Sequence, residues 1–130
     1  MVKVVLADDE EFVRFFLKTV MESLFFDVVA EVEKGDDLVD VMENSQPDIL
    51  LLDINMPNLT GIEFLKEHAY KFPDTCIIIL TSSASSKLIN ESTVAGARCF
   101  LRKDASVEKM VEAIQSTWVQ FSQEKGKNVR

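Results

Sequence analysis

Apolar residues in this chain fall into two alternating patterns: short unbroken runs, and longer stretches in which they recur every three or four positions. The unbroken runs, bounded by turn-forming residues, predict strands buried on both faces, and the spaced stretches predict helices with one covered face. Val2 to Ala7 reads as a first strand. A helix follows with the stripe Val13, Phe16, Leu17, Val20, Met21 and Leu24, and Asp9 is placed to cap it. Val28 to Val32 predicts a second strand, and Gly35-Asp36-Asp37 opens a helix carrying Leu38 and Met42 that Gln46-Pro47 stops. Ile49 to Leu52 is the third strand. Beyond the loop Asn55-Met56-Pro57-Asn58, Gly61 precedes a helix with Ile62, Leu65, Ala69 and Phe72, closed by Phe72-Pro73-Asp74. Cys76 to Leu80 is the fourth strand. A weaker helix from about Lys87 to Ala95 ends at Gly96, and Arg98 to Leu101 is the fifth strand. Ser106 caps a last helix lined by Val107, Met110, Val111, Ile114, Trp118 and Phe121, the last two read as core rather than as a dimer face.

Five alternations of strand and helix predict an α/β fold, a parallel sheet covered by helices on both faces. At 130 residues, with 47% hydrophobic and 28% charged residues, the chain suits one domain with one sizeable core. We place that domain at residues 1–122, with 123–130 as a polar tail or the start of a linker, and expect Ser122 to Arg130 to fray. The formal charge of -8 argues against direct nucleic-acid binding, where Lys and Arg must neutralise phosphates, and suits a basic partner surface. No apolar run approaches the ~20 residues of a membrane span, and Met1 leads straight into a strand, so a cytoplasmic protein without membrane partners is expected. Cys76 and Cys99 lie in apolar runs and read as reduced core thiols. His68, the single histidine, sits mid-helix and reads as structural.

In an open parallel sheet the ligand site lies beyond the carboxyl ends of the strands. Those ends carry Asp8 and Asp9, Asp53, Thr81-Ser82-Ser83, and Lys103. Taken singly each has a plain explanation: a solvated turn and a helix cap, loop hydroxyls satisfying backbone groups, a surface lysine, and in Phe100 a core aromatic. Taken together they describe a reaction centre. Three carboxylates converging on one crevice repel each other and persist by coordinating a hard divalent cation, for which Mg2+ is the natural candidate. Lys103 supplies further positive charge, Asp53 can act as a nucleophile that forms an aspartyl phosphate, and the Thr81 hydroxyl can donate to an acyl-phosphate oxygen.

The segments Leu50-Leu51-Leu52-Asp53-Ile54-Asn55-Met56-Pro57 with Gly61, Ile77-Ile78-Ile79-Leu80-Thr81, Gly96-Ala97 and Phe100-Leu101-Arg102-Lys103 stand in a characteristic order and spacing. In them the chain resembles the response regulator receiver (CheY-like) family over about residues 2 to 120. The resemblance implies a flavodoxin-like five-stranded sheet of order 2-1-3-4-5 with five helices, an order of which CheY is itself a standing example. It implies a two-component signalling domain rather than an enzyme, one that catalyses only its own phosphorylation and dephosphorylation. Asp53 would accept a phosphoryl group from a histidine kinase or histidine phosphotransfer protein, assisted by Asp8, Asp9 and Mg2+, with Asn55 lending its backbone carbonyl to the metal. Thr81, Phe100 and Lys103 would read out the phosphate, and the face of helix four, strand five and helix five would change for a downstream protein, an output domain or a homodimer. Asn55 and Ser83, two places after Asp53 and Thr81, would tune dephosphorylation. Lys103-Asp104 stands where many receivers have Lys-Pro, and Leu101 to Ser106 is similar to receivers of NarL/FixJ-type transcription factors, whose helix-turn-helix domain is not within these 130 residues. Two other readings remain: an interaction module that signals without phosphorylation, and an aspartyl-phosphate phosphatase, against which Asn55 speaks because it cannot shuttle a proton. Dinucleotide binding is disfavoured by Asp8-Asp9 at the first turn, where a Gly-rich phosphate loop would be needed.

Overall fold

The computed structural model describes residues 1–83 and 85–126. Five strands and five helices alternate along the chain: β1 (Lys3–Ala7), α1 (Glu11–Ser23), β2 (Asp27–Val32), α2 (Leu38–Ser45), β3 (Ile49–Asp53), α3 (Gly61–His68), β4 (Cys76–Thr81), α4 (Ser86–Val94), β5 (Cys99–Arg102) and α5 (Val107–Glu124). Short 3-10 turns at Gly35–Asp37 and Ala69–Lys71 lead into α2 and out of α3. All strands are parallel in the order β2-β1-β3-β4-β5, the flavodoxin-like order expected.

Successive residues of a strand point to opposite faces, and the unbroken apolar runs use both. Val4, Leu6, Leu51, Ile78 and Leu80 meet Leu17 and Met21 of α1 and Ile114 and Trp118 of α5 on one side. Val5, Leu50, Leu52, Ile77 and Ile79 meet Met42 of α2 and Phe64 and Leu65 of α3 on the other. Trp118 and Phe121 are buried core residues, as their place on the α5 stripe implied. Phe64, fully buried, is the largest anchor of α3 and falls outside the stripe drawn from sequence, because the helix ends at His68 and its face is set by Phe64 and Leu65 rather than by Ala69 and Phe72.

Helix ends follow local chemistry. Ser85, Ser106 and Thr60 accept the N3 amides of α4, α5 and α3 through their side chains, and Glu63 reaches back to the Thr60 amide to complete a capping box. The expected cap on α1 is different: Glu10, not Asp9, occupies that position and makes no side-chain cap bond. Its amide instead donates to Asp8 Oδ1 at 2.8 Å, so the turn is closed by the carboxylate at the strand end. The expected fraying from Ser122 also needs correction. Ser122 is fully buried, donates to the Trp118 and Val119 carbonyls one turn back, and α5 continues to Glu124. Residues 127–130 of the expected tail lie outside the described residues.

Candidate functional site

The carboxyl ends of β1, β3, β4 and β5 bring Asp8, Asp53, Thr81 and Lys103 to one edge of the sheet. Parallel registry fixes this: Asp8 N–H donates to the Val32 carbonyl, Ile54 N–H donates to the Leu80 carbonyl, and Lys103 N–H donates to the Thr81 carbonyl at 2.8 Å. Lys103 Nζ is the centre of the cluster, at 2.8 Å from Asp8 Oδ2, 3.0 Å from Glu10 Oε1 and 3.2 Å from Asp53 Oδ2. Its side chain is 12% exposed, those of Asp8 and Asp53 0% and 4%. The surface-lysine explanation is thereby removed.

These charges hold one another against the cost of burial. Burial raises the Asp8 carboxyl above its ordinary value, against the hydrogen bonds from Lys103 and the Glu10 amide that pull it down. Burial also raises Asp53, opposed by the Asn55 amide, which donates to Asp53 Oδ1 at 3.1 Å, while repulsion from Asp8 adds to the rise and Lys103 offsets it. Lys103 is itself penalised by burial, yet its contacts with Asp8 and Glu10 and the field of Asp53 outweigh that and raise it above the ordinary lysine range.

The donor set fits a hard divalent cation. Carboxylate oxygens of Asp8, Asp9 and Glu10 lie within 4.8 Å of one another. Asp8 Oδ2 is buried and held among the described residues by the Lys103 ammonium alone, so this anionic oxygen still has coordination to offer. Asp53 stands outside that trio and is joined to it through Lys103. Glu10 and Arg14 were not picked out as site residues by sequence reasoning. Arg14 Nη1 donates to the Asp8 carbonyl at 2.7 Å and its Nε pairs with Glu31, which ties α1 and β2 to the crevice. Only part of their signal was available: the first turn of α1 must pass the end of β1, but which of its residues turn to the crevice depends on the rotation of the helix.

Thr81 is buried and donates its hydroxyl to the Ser83 carbonyl, while Ser83 N–H reaches back to Thr81 Oγ1 at 3.2 Å. Phe100 is half-buried on the face covered by α2, α3 and α4. Asn55 and Ser83 both expose their side chains at the rim. Gly61 N–H donates to the Ile54 carbonyl, and a Cβ at Gly61 would stand 2.7 Å from the Asp53 carbonyl oxygen, so only glycine lets α3 start this close to the acidic loop. Lys103-Asp104 is trans, as is every peptide bond among the described residues, and the Asp104 carboxylate takes the Arg102 guanidinium at 2.9 and 3.0 Å. His68 packs against Phe64 at 5.9 Å between ring centroids, away from the crevice. Cys76 is buried, Cys99 half-buried, and no disulfide joins them.

The family model of the response regulator receiver domain matches residues 4–115. The chain belongs to that family. As a receiver domain of two-component signalling, it is 36% identical over 117 residues to the uncharacterized transcriptional regulatory protein YhcZ of Bacillus subtilis (strain 168), covering 87% of this chain and 53% of that protein. It is 30% identical over 115 residues to the chemotaxis protein CheY of Listeria monocytogenes, covering 88% of this chain and 97% of that one. The receiver thus spans about half of such transcriptional regulators and nearly all of CheY. Among solved structures it superposes on the CheX-CheY-BeF3-Mg+2 complex from Borrelia burgdorferi with a TM-score of 0.85 at 24% identity, covering 90% of this chain and 89% of that one. It superposes on the receiver domain of the putative response regulator NarL from Mycobacterium tuberculosis with a TM-score of 0.82 at 24% identity, covering 91% and 96%. At that identity these two likenesses establish the fold. No helix among the described residues is long and apolar enough to cross a membrane.

Proposed function

We propose that this receiver accepts a phosphoryl group on Asp53 from the phosphohistidine of a kinase or histidine phosphotransfer protein. The observation that carries the proposal is Asp53 Oδ2 at 3.2 Å from an ammonium that also holds the buried Asp8 carboxylate. An Asp53 carboxylate oxygen forms the new bond to phosphorus as the bond to the donor imidazole breaks, with its electron pair leaving on nitrogen and a solvent proton restoring the neutral ring. Lys103 neutralises charge on the transferring group, and the Asn55 amide holds the other Asp53 oxygen so that the carboxylate presents one edge. Asp8, Asp9 and Asp53, with the Asn55 backbone carbonyl, are the residues that would hold Mg2+. Such an ion would supply positive charge against these carboxylates and against the transferring phosphoryl group.

The phosphate adds roughly two negative charges and three acceptor oxygens. The Thr81 hydroxyl, now spent on the Ser83 carbonyl, would turn to those oxygens, and its departure would free space into which half-buried Phe100 moves. The surface of α4, β5 and α5 would change with it, for a downstream protein, an output domain or a second copy. Asn55 and Ser83, exposed at the rim, are placed to tune attack by water. Such a domain works in the cytoplasm and needs no nucleic-acid contact of its own. Intact mass after incubation with Mg2+ and a small acyl phosphate tests the core of this reading. One added phosphoryl group, absent in Asp53→Ala and after chelation, is expected; steady phosphate release without an adduct would make the protein a phosphatase, and neither would leave a phosphorylation-independent module.

A further inference from the structure

At the opposite edge of the sheet from the acidic crevice, α3, α4 and the end of α5 frame an open groove of about 760 Å3. Leu65, Phe72, Ile77 and Phe121, each at most 6% exposed, form its apolar floor, and Val94 stands at its lip. The volume lies within the ~300–1,000 Å3 typical of binding pockets. Two large apolar side chains stand unprotected at its lips, Tyr70 at 74% and Val94 at 89% exposure.

The charge of the groove runs against that of the chain. The protein carries a formal -8, yet among the described residues the charged ones lining the groove are Lys66, Arg98 and Lys125 against Glu91. Arg98 and Lys125 approach the same ring, at 4.9 and 5.8 Å from the Phe121 centroid, so two cations flank one apolar surface. Glu91 is engaged by Lys66 at 3.6 Å and Glu124 by Arg98, which leaves an excess of positive charge at the α5 end.

We propose that this groove docks an acidic, amphipathic segment of a partner protein, with branched or aromatic side chains against the Leu65, Val94 and Phe121 wall and carboxylates toward Lys66, Arg98 and Lys125. The contact does not require phosphate on Asp53. It reaches the crevice through α4, which supplies Glu91 and Val94 to the groove and begins at Ser85, just beyond the Thr81 to Ser83 loop. Among the α4 residues only Ser92 is fully buried, so the helix is held lightly enough for an occupant at one end to bias the other.

The test pans a random twelve-residue peptide library on the unphosphorylated protein and counter-selects on Val94→Glu/Lys125→Glu, two exposed substitutions whose unaltered fold is checked by circular dichroism. Enriched peptides of net negative charge with apolar residues at helical spacing are expected. A synthetic winner should bind at least about tenfold more weakly to the double variant, as burying a carboxylate against an apolar wall requires, and should lose affinity as salt is raised. Enrichment of basic or uncharged peptides, or equal binding to both proteins, would overturn the proposal. Self-association by sedimentation that the double variant abolishes would overturn it too, by placing a second copy in the groove. Because no step uses Asp53 chemistry, failure here leaves the phosphoryl-acceptor reading untouched, and the reverse also holds.

Discussion

Replacing Lys103 by methionine keeps the side-chain stem and removes the ammonium that faces Asp8, Glu10 and Asp53. At an effective dielectric of about 20, unit charges at the observed 2.8 and 3.2 Å attract by roughly 6 and roughly 5 kcal/mol. Most of that gross attraction offsets the cost of burying Lys103, a cost that vanishes with the charge. Leaving two buried carboxylates uncompensated typically costs about 3–5 kcal/mol, and protonation of one of them lowers the net loss to about 2–4 kcal/mol. For a domain of this size that is a fall in Tm of roughly 8–15 °C. The pH dependence carries the diagnostic sign. Burial holds Asp8 and Asp53 above 3.8, so between that value and the folded one the native state binds more protons, and stability falls as pH rises. Removing Lys103 removes a downward influence on both, so their folded values climb further and the penalty grows from acid toward neutral pH. Urea unfolding of both proteins with chelator, at about pH 5 and about pH 8, reads the difference. A loss equal at the two pH values, or below about 1 kcal/mol at the higher one, would refute the claim that Lys103 holds the crevice together.

Gly61→Ala places a Cβ 2.7 Å from the Asp53 carbonyl oxygen and 2.8 Å from Ile54 Cα, both backbone atoms with little room to give, so urea unfolding should register a loss of about 2–3 kcal/mol and phosphoryl uptake by mass should slow. Ser92→Ala removes from α4 a fully buried hydroxyl that has no hydrogen-bond partner among the described residues and should raise stability by about 1 kcal/mol in a thermal melt; destabilisation would mean that the hydroxyl is satisfied. Thr60→Ala removes the side-chain half of the α3 capping box, the acceptor of the Glu63 amide, while the backbone amide at position 60 still donates to Glu63, and should cost about 1 kcal/mol by urea titration, with phosphoryl uptake retained.

The sheet was legible because Ile49 to Leu52 and Cys76 to Leu80 are unbroken apolar runs too short for helices, and such runs have few places to go except the buried centre of a parallel sheet. Helix faces were legible only in part. The α5 stripe repeats over five turns and its buried apolar residues Met110, Ile114, Trp118 and Phe121 were all anticipated, although Val107 at its start is exposed and Ser122 at its end is buried. In α3, eight residues long, two turns cannot fix a phase, and Phe64 went unnoticed. The α1 cap was misassigned because Asp8 and Asp9 are equivalent in composition and differ only in direction. Asp8 ends the strand pointing inward, fully buried, and closes the turn, while Asp9 is exposed.

The same geometry explains which site residues a sequence can reveal. Asp8, Asp53, Thr81 and Lys103 each sit at or next to the end of a parallel strand, and four strand ends at one sheet edge converge whatever the intervening loops contain. Their positions therefore follow from strand assignment alone. Glu10 and Arg14 reach the crevice from the first turns of a helix, so their contribution depends on the rotation of α1 about its axis, which sequence constrains weakly. The basic groove lies further still from such inference. Lys66 comes from α3, Arg98 from the turn before β5 and Lys125 from the end of α5, and only the packing of three helix ends gathers them on one apolar wall. A chain whose overall charge repels acidic partners can for that reason still hold a surface that attracts one, and the ion pairs at its rim must yield to that partner's carboxylates for it to bind.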